Sequence, residues 1–269
     1  MSNDGPAATE HRARKRFGQN FLHDPNIIRR IVAGIRPKAG ETLLEIGPGQ
    51  GALTEALLES DCELLAVELD RDLVAILERK FAGHPRFRLQ QGDALKVKLA
   101  DLTGQTRIRV VGNLPYNIST PLIFHLLSQS GAIIDMHFML QKEVVERLAA
   151  GPGSKTYGRL GIMTQYHCRV EPLLDVPPGA FFPQPKVQSA VVRLVPHAVL
   201  PFPANSVEDL QTVVRTAFNQ RRKTLRNALQ GLVSPEQMLA LGIDSSARPE
   251  TLALETYVAL ANTLSVQVL

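Results

Sequence analysis

The sequence predicts an α/β fold, a mostly parallel and doubly wound sheet followed by a small all-helical C-terminal domain. Three observations carry this expectation. Between Thr42 and Val195, short runs rich in aliphatic and β-branched residues alternate with amphipathic stretches, the trace that repeating βα units leave. A glycine loop, Glu45-Ile46-Gly47-Pro48-Gly49-Gln50-Gly51, stands between the first such run and the first helix that follows it. Beyond Val195 the alternation stops, Pro196, Pro201 and Pro203 punctuate a linker, and the remainder reads helical.

Residues 1–16 are polar and basic, show no apolar period, and are expected to form a tail that is disordered without a partner. Asp24 then has the character of a helix N-cap, with Pro25 at the first helical position and Ile27, Ile28, Ile31 and Val32 as the apolar stripe. Strands are expected at 42–46, 64–68, 86–90, 108–112, 135–140, 169–176 and 189–195, and helices at 52–59, 72–81, 120–128, 142–149 and 159–167. These make residues 17–200 one unit. A second unit, 205–269, is expected to hold helices at 207–219, 222–232, 235–241 (capped by Ser234) and 249–264. At about 65 residues it is too small to be very stable alone and is expected to pack on the first.

At 269 residues with 44% hydrophobic content, the chain can bury a substantial core. No apolar run approaches the roughly 20 residues that cross a bilayer, and the basic N-terminus has no apolar segment behind it, so neither a membrane span nor a secretory signal is expected. Cys62 and Cys168 are the two cysteines, far apart in sequence, which indicates neither a disulfide framework nor a zinc cluster. A cytoplasmic address follows. The net charge of +4 is unevenly spread. Arg12, Arg14, Lys15 and Arg16 form one basic cluster, and Arg221, Arg222, Lys223 and Arg226 another. Such clusters suit a polyanion, because each phosphate they neutralise releases counterions.

A strand that ends in closely spaced glycines before a helix brings backbone N–H groups near a ligand, and Gly47, Gly49 and Gly51 stand in that context. Dinucleotide sites use a related pattern, so the loop alone does not specify its ligand. Glu68 ends the second strand about 20 residues on, where a carboxylate reaches a ribose diol. Asp93, in Gln91-Gly92-Asp93-Ala94, ends the third, where a side chain can accept from an adenine amine. All lie on the carboxyl edge of the sheet, the ligand-binding edge of open α/β folds.

Asn113-Leu114-Pro115-Tyr116 follows the apolar run 108–111 and is the most informative tetrapeptide of the chain. An exocyclic base amine is a poor nucleophile because its lone pair is delocalised into the ring. Two acceptors aimed at its hydrogens favour a pyramidal nitrogen, and the Asn113 side-chain oxygen and Leu114 carbonyl are the candidates. Pro115 biases Leu114 toward an extended backbone, and Tyr116 offers a plate for the base. With the glycine loop, this points to a methyl group moving from a sulfonium donor to a base nitrogen. A second aromatic segment, 177–187, is a proline-rich loop in which Phe181 or Phe182 can form the other side of a base clamp, and Lys186 can meet a phosphate. Anchoring of the loop to the core is the other role open to these phenylalanines.

The segments 15–22, 45–51, 113–119, 138–144, 181–187 and 218–227 together resemble the ribosomal RNA adenine dimethyltransferases, most closely the bacterial small-subunit type, and the resemblance runs from about Arg14 to the C-terminus. It implies a Rossmann-like methyltransferase sheet, S-adenosylmethionine as donor, and two adjacent adenines in the 3′-terminal hairpin of 16S ribosomal RNA, within the immature 30S subunit, as acceptors, each methylated twice at N6. By matched position it implies that Asn20, Leu22, Gly47, Glu68, Asp93 and Asn113 bind the donor, that Asn113, Leu114, Pro115 and Tyr116 form the acceptor site, and that Tyr116 and Phe181 clamp the base. It further implies a C-terminal helical domain that engages the subunit. Three alternatives stand beside it: methylation of a large-subunit adenine, a non-catalytic ribosome-assembly factor on the same fold, and a dehydrogenase. The intact 45–51 and 113–116 segments favour catalysis, and the latter has no role in hydride transfer. No metal is expected, and nothing suggests a large self-association surface.

Overall fold

A computed structural model describes residues 19–104, 107–220 and 222–264. Arg14, Lys15, Arg16 and Arg221 lie outside the described residues, as do the whole of the expected N-terminal tail, 1–16, and the last residues of the expected helical domain.

The described residues begin with a short strand β1 (Phe21–Leu22) and helix α1 (Pro25–Ile35). Asp24 caps α1 as expected, its Oδ1 accepting from Asn26 N at 2.8 Å and Ile27 N at 3.2 Å, with Pro25 in the first turn. Alternating units follow: β2 (Thr42–Ile46), α2 (Ala52–Leu58), β3 (Glu63–Glu68), α3 (Arg71–Lys80), β4 (Phe87–Gln91), α4 (Leu99–Thr103), β5 (Ile108–Asn113), α5 (Ser119–Leu127), β6 (Ile133–Gln141), α6 (Lys142–Ala149), α7 (Arg159–His167), β7 (Cys168–Val176), β8 (Phe181–Phe182) and β9 (Ser189–Pro196). Strands β2 to β7 and β9 form a seven-stranded sheet in the order β4-β3-β2-β5-β6-β9-β7. Pairing is parallel from β4 through β6, and β9 runs antiparallel to both of its neighbours. The chain winds outward from β2 to β4, then returns to place β5 on the other side of β2. The gap between β2 and β5 is therefore the switch point, where open α/β sheets bind ligands.

The central strands are buried on both faces, which is why they read as continuous apolar runs. Alternation sends Leu44, Val110 and Phe138 into a cluster with Leu122, Leu126 and Leu148, while Leu43, Val111 and Met139 pack with Ile31, Ile35 and Leu57 on the opposite face. At the far edge of the sheet from the carboxyl ends, Asp135 is 2% exposed in its side chain and accepts from Arg109 Nε at 2.8 Å and Arg193 Nη2 at 2.8 Å. Burial alone would raise the Asp135 pKa, but the paired Arg109 holds it below the usual range.

The C-terminal helices are α8 (Val207–Asn219), α9 (Leu225–Ala228), α10 (Pro235–Ala240) and α11 (Leu254–Asn262). They share a third core with α7, in which Tyr157, Ile162 and Tyr166 pack with Val213, Leu229, Met238 and Tyr257. Four details depart from expectation, the first being α4, a helix the sequence reading does not include. The stretch expected as one helix over 222–232 is helical for one turn only, Leu225–Ala228, and its first N–H groups, those of Leu225 and Arg226, donate to the carbonyls of Ala247 and Ser245. The stretch 249–264 begins as a 3-10 turn, Pro249–Thr251, and becomes α-helical at Leu254. The pair β1 and β8 forms a separate antiparallel ribbon, an element the sequence pattern does not announce. Among the described residues, no helix is long and apolar enough to cross a membrane.

Candidate functional site

A cleft opens at the carboxyl edge of the sheet over the β2–β5 switch point. Its lining gathers Gly47 and Gly49 from the loop after β2, Glu68 and Asp70 after β3, Asp93 after β4, and Asn113 through Ile118 after β5. Gln19, Asn20 and Phe21 close it from above. Residues that are far apart in sequence meet here because parallel strands end on one edge.

The glycine loop turns through left-handed backbone, with φ of 68° at Gly47, 60° at Gly49 and 79° at Gly51, conformations that glycine adopts without steric cost. Gly112 in β5 serves a different need. A Cβ there would lie 2.5 Å from the Ile46 carbonyl oxygen, so glycine is what lets β2 and β5 approach at the switch point. Below the loop, Glu45 is buried and its Oε2 accepts from Thr54 Oγ1 at 2.6 Å. Burial pushes its pKa up to about 7, with the Thr54 hydrogen bond opposing and the nearby Glu68 carboxylate reinforcing the shift.

Glu68 is 7% exposed, and its two oxygens are held by backbone donors: Oε2 by Gly49 N at 3.2 Å and Oε1 by Asp70 N at 2.9 Å. Burial raises its pKa, and those donors pull against it. An ionised carboxylate has about four lone-pair positions, so each oxygen retains capacity for a diol. Asp93 caps the 3-10 turn Ala94–Lys96, its Oδ1 accepting from Leu95 N at 3.0 Å. Both residues stand where the sequence reading places them.

Asn113 is fixed by its amide. Its Nδ2 donates to the Asn20 carbonyl at 3.0 Å. A carbonyl can only accept, so the end of the amide facing Asn20 must be the NH₂ and the other end must be the oxygen. Leu114 N donates to Met139 O at 3.1 Å, which seats the tetrapeptide on β6. The next two carbonyls serve the start of α5, Pro115 O accepting from Ile118 N at 3.1 Å and Tyr116 O from Ser119 Oγ at 3.2 Å. Of the three, the Leu114 carbonyl is outside those helix-start bonds. The Tyr116 hydroxyl bonds Ser189 Oγ at 2.8 Å, and burial raises its pKa, so the ring is a neutral, fixed plate.

A strap over the cleft carries Asn20, which the resemblance assigns to the donor, together with Gln19 and Phe21, which the sequence reading does not name as site residues. Gln19 Nε2 donates to Asp70 Oδ2 at 3.1 Å, Asn20 O takes the Asn113 amide, and His23 N donates to Ala180 O at 3.0 Å. Phe21 lies against the glycine loop, where a Cβ on Gly49 would be 3.1 Å from its ring. Asp70 also caps α3, its Oδ1 accepting from Asp72 N at 3.1 Å, and that helix start was the one sequence signal that marks it. Gln19 and Ser189 carry no local signal. Leu22 faces away from the large cleft, is 6% exposed, and borders a small recess beside Gly47 and Pro48.

Phe181 departs from its expected place. The ring is 3% exposed and packs in the core with Leu22, Val111 and Met139, so it does not line the cleft. Strand alternation is the reason: in the ribbon Phe181 pairs with Leu22 and Phe182 with Phe21, so the core-facing residue is Phe181 and the one sharing a face with Phe21 is Phe182. Of the C-terminal basic residues, Arg222, Lys223 and Arg226 are exposed, as a polyanion surface requires.

Comparison with known proteins bears on this arrangement. The family model described as ribosomal RNA adenine dimethylase matches residues 10–265. The chain is 65% identical to the ribosomal RNA small subunit methyltransferase A of Pseudomonas putida over 96% of this chain and 97% of the relative. It is 60% identical to the protein of the same name from Marinobacter nauticus, over 95% of this chain and 92% of the relative. Among solved structures, the 23S rRNA methyltransferase ErmE aligns with a TM-score of 0.72 at 25% identity, covering 91% of this chain and all, 100%, of that one. A dimethyladenosine transferase from Plasmodium falciparum aligns with a TM-score of 0.76 at 24% identity, over 89% of this chain and 95% of that one, a likeness of fold.

Proposed function

We propose, because this chain belongs to the ribosomal RNA adenine dimethylase family, that it dimethylates N6 of two adjacent adenines near the 3′ end of 16S ribosomal RNA during assembly of the small subunit. The relatives at 60 to 65% identity are named for the small subunit, which favours that acceptor over a large-subunit adenine. The enzyme acts in the cytoplasm, as a monomer, on the immature 30S particle.

The cleft suits S-adenosylmethionine, which when bound supplies an electrophilic methyl carbon on a sulfonium sulfur. Left-handed glycines at 47 and 49 keep side chains out of the loop, Glu68 offers a carboxylate for ribose hydroxyls, and Asp93 an acceptor for the adenine amine. Asn20 and Asn113 border the same space, with Leu22 behind the strap. The amide of Asn113 carries the reading: with Nδ2 tied to Asn20, its Oδ1 is the end that can accept from the target amine. In the first transfer Oδ1 and the Leu114 carbonyl take the two N6 hydrogens, in the second the one that remains, drawing the nitrogen toward a pyramidal geometry each time. Pro115 stiffens that backbone and Tyr116 stacks on the base. Phe181, packed behind β1, braces the ribbon instead of meeting the base. Once alkylated, the amine is acidic and its proton leaves to water, so positioning supplies most of the rate. Arg14, Lys15, Arg16, Arg221, Arg222, Lys223 and Arg226 are the proposed phosphate-binding residues.

Incubation with tritiated S-adenosylmethionine and undermethylated 30S particles, followed by mapping of labelled nucleotides, tests this. Label is expected as N6,N6-dimethyladenosine at two neighbouring 16S positions. Label at another position or in 23S RNA overturns the reading, as does its absence.

A further inference from the structure

Phe182 is 70% exposed, and a bare phenylalanine paired with a residue that lines the cleft needs an explanation. Its position is set from both sides. In the ribbon it pairs with Phe21, which lines the cleft and lies on the glycine loop. Seven residues on, Ser189 bonds the hydroxyl of Tyr116, the plate on which the target base is proposed to stack. The intervening segment, 183–188, thus runs from the strap to the acceptor pocket. Pro183 and Pro185 restrict its backbone, Gln188 O is held by Lys142 N at 2.9 Å, and Lys186 and Val187 are exposed along it.

From this placement we propose that Phe182 and the 183–188 loop form a second base subsite, one that stacks the nucleotide next to the target in the RNA strand. The inference rests on the RNA substrate proposed above. Tyr116 is half-buried in the lining of the cleft, whereas Phe182 is outside that lining and open to solvent beside Phe21, so one extruded base on Tyr116 leaves the Phe182 face for its neighbour. Any base can stack on an aromatic face, and the exposed Lys186 on the same loop suits the phosphate that joins the two nucleotides. With paired adenines as substrate, the occupant is the adenine awaiting its turn. The subsite therefore holds the second acceptor near the pocket while the first is methylated.

The chain contains no tryptophan, so Phe182→Trp introduces one reporter at the subsite. Its fluorescence should be quenched on binding undermethylated 30S particles, and the quenching should disappear with particles in which the neighbouring adenine is abasic. In steady-state methylation, Phe182→Ala should raise KM for the particle about tenfold with kcat within twofold, a size consistent with the loss of one stacked base. Phe182→Trp should restore KM and Phe182→Leu should not. Unquenched fluorescence, quenching indifferent to the abasic site, or a KM unchanged in Phe182→Ala overturns the subsite. Wild-type enzyme on the same particles separates the two levels: if it labels the adenines while the Phe182 variants match it, the subsite alone fails, and if it labels nothing, the reaction itself is wrong.

Discussion

Glu45 shows how much of the site depends on single side chains that never touch a substrate. It is buried beneath the glycine loop with a pKa near 7 against an ordinary 4.5, so between those values the folded protein holds a proton that the unfolded chain has released. Stability therefore falls as pH rises through that window. His137 imposes the opposite slope. Burial pushes its pKa down to about 4, so the stability it contributes is present above pH 6.5 and is lost as pH falls toward 4. Subtracting the two isolates Glu45: Glu45→Gln, which keeps an acceptor for Thr54, should raise Tm relative to wild type progressively from pH 4.5 to 7 and leave it unchanged below pH 4.5. Parallel curves across that range would mean that Glu45 is ionised and satisfied in the fold. Asn113 was legible in the sequence because an asparagine at a strand end beside Leu-Pro-Tyr has a chemistry that its neighbours explain. The bond that orients it was not legible, since its partner Asn20 lies 93 residues away.

Among the elements, the expected and observed strands agree wherever apolar runs are long enough to show a period, as in β2, β5 and β6. The ribbon of β1 and β8 has two residues on each side, joined across most of the chain, and no periodicity can report that. Its absence from the sequence reading is also why the residues alone leave Phe181 and Phe182 open and the resemblance puts Phe181 at the base: which one faces the cleft depends on a register that only the partner strand defines. Residue 112 probes how closely two strands must pack at the switch point. In Gly112→Ala the new methyl would meet the Ile46 carbonyl, and the strands must part or the side chain must strain. A loss of about 1–3 kcal/mol is expected in urea denaturation, with weakened donor binding because Gly47 and Asn113 shift with their strands. Unchanged stability and donor affinity would show that the β2–β5 approach tolerates more than its geometry indicates.

Across the molecule, the C-terminal helices share a core with α7, so a surface they carry is fixed relative to the cleft. This gives the basic residues on α9 and just before it a defined bearing on the substrate. Replacing Arg222, Lys223 and Arg226 together with Ala should weaken subunit binding and reduce its salt slope by about two to three, at roughly 0.7–0.9 for each phosphate no longer neutralised. A salt slope equal to that of wild type would make those charges bystanders. If Asn113 Oδ1 prepares the amine, then removing the Asn113 amide, which also borders the donor space and holds Asn20, should stop methyl transfer even where the donor is saturating. The direct measurement is single-turnover methyl transfer by Asn113→Ala on undermethylated 30S particles at saturating enzyme and donor. The expected result is a rate at least 100-fold below wild type, with subunit affinity unchanged and the variant folded. A rate within a few-fold of wild type would contradict the account.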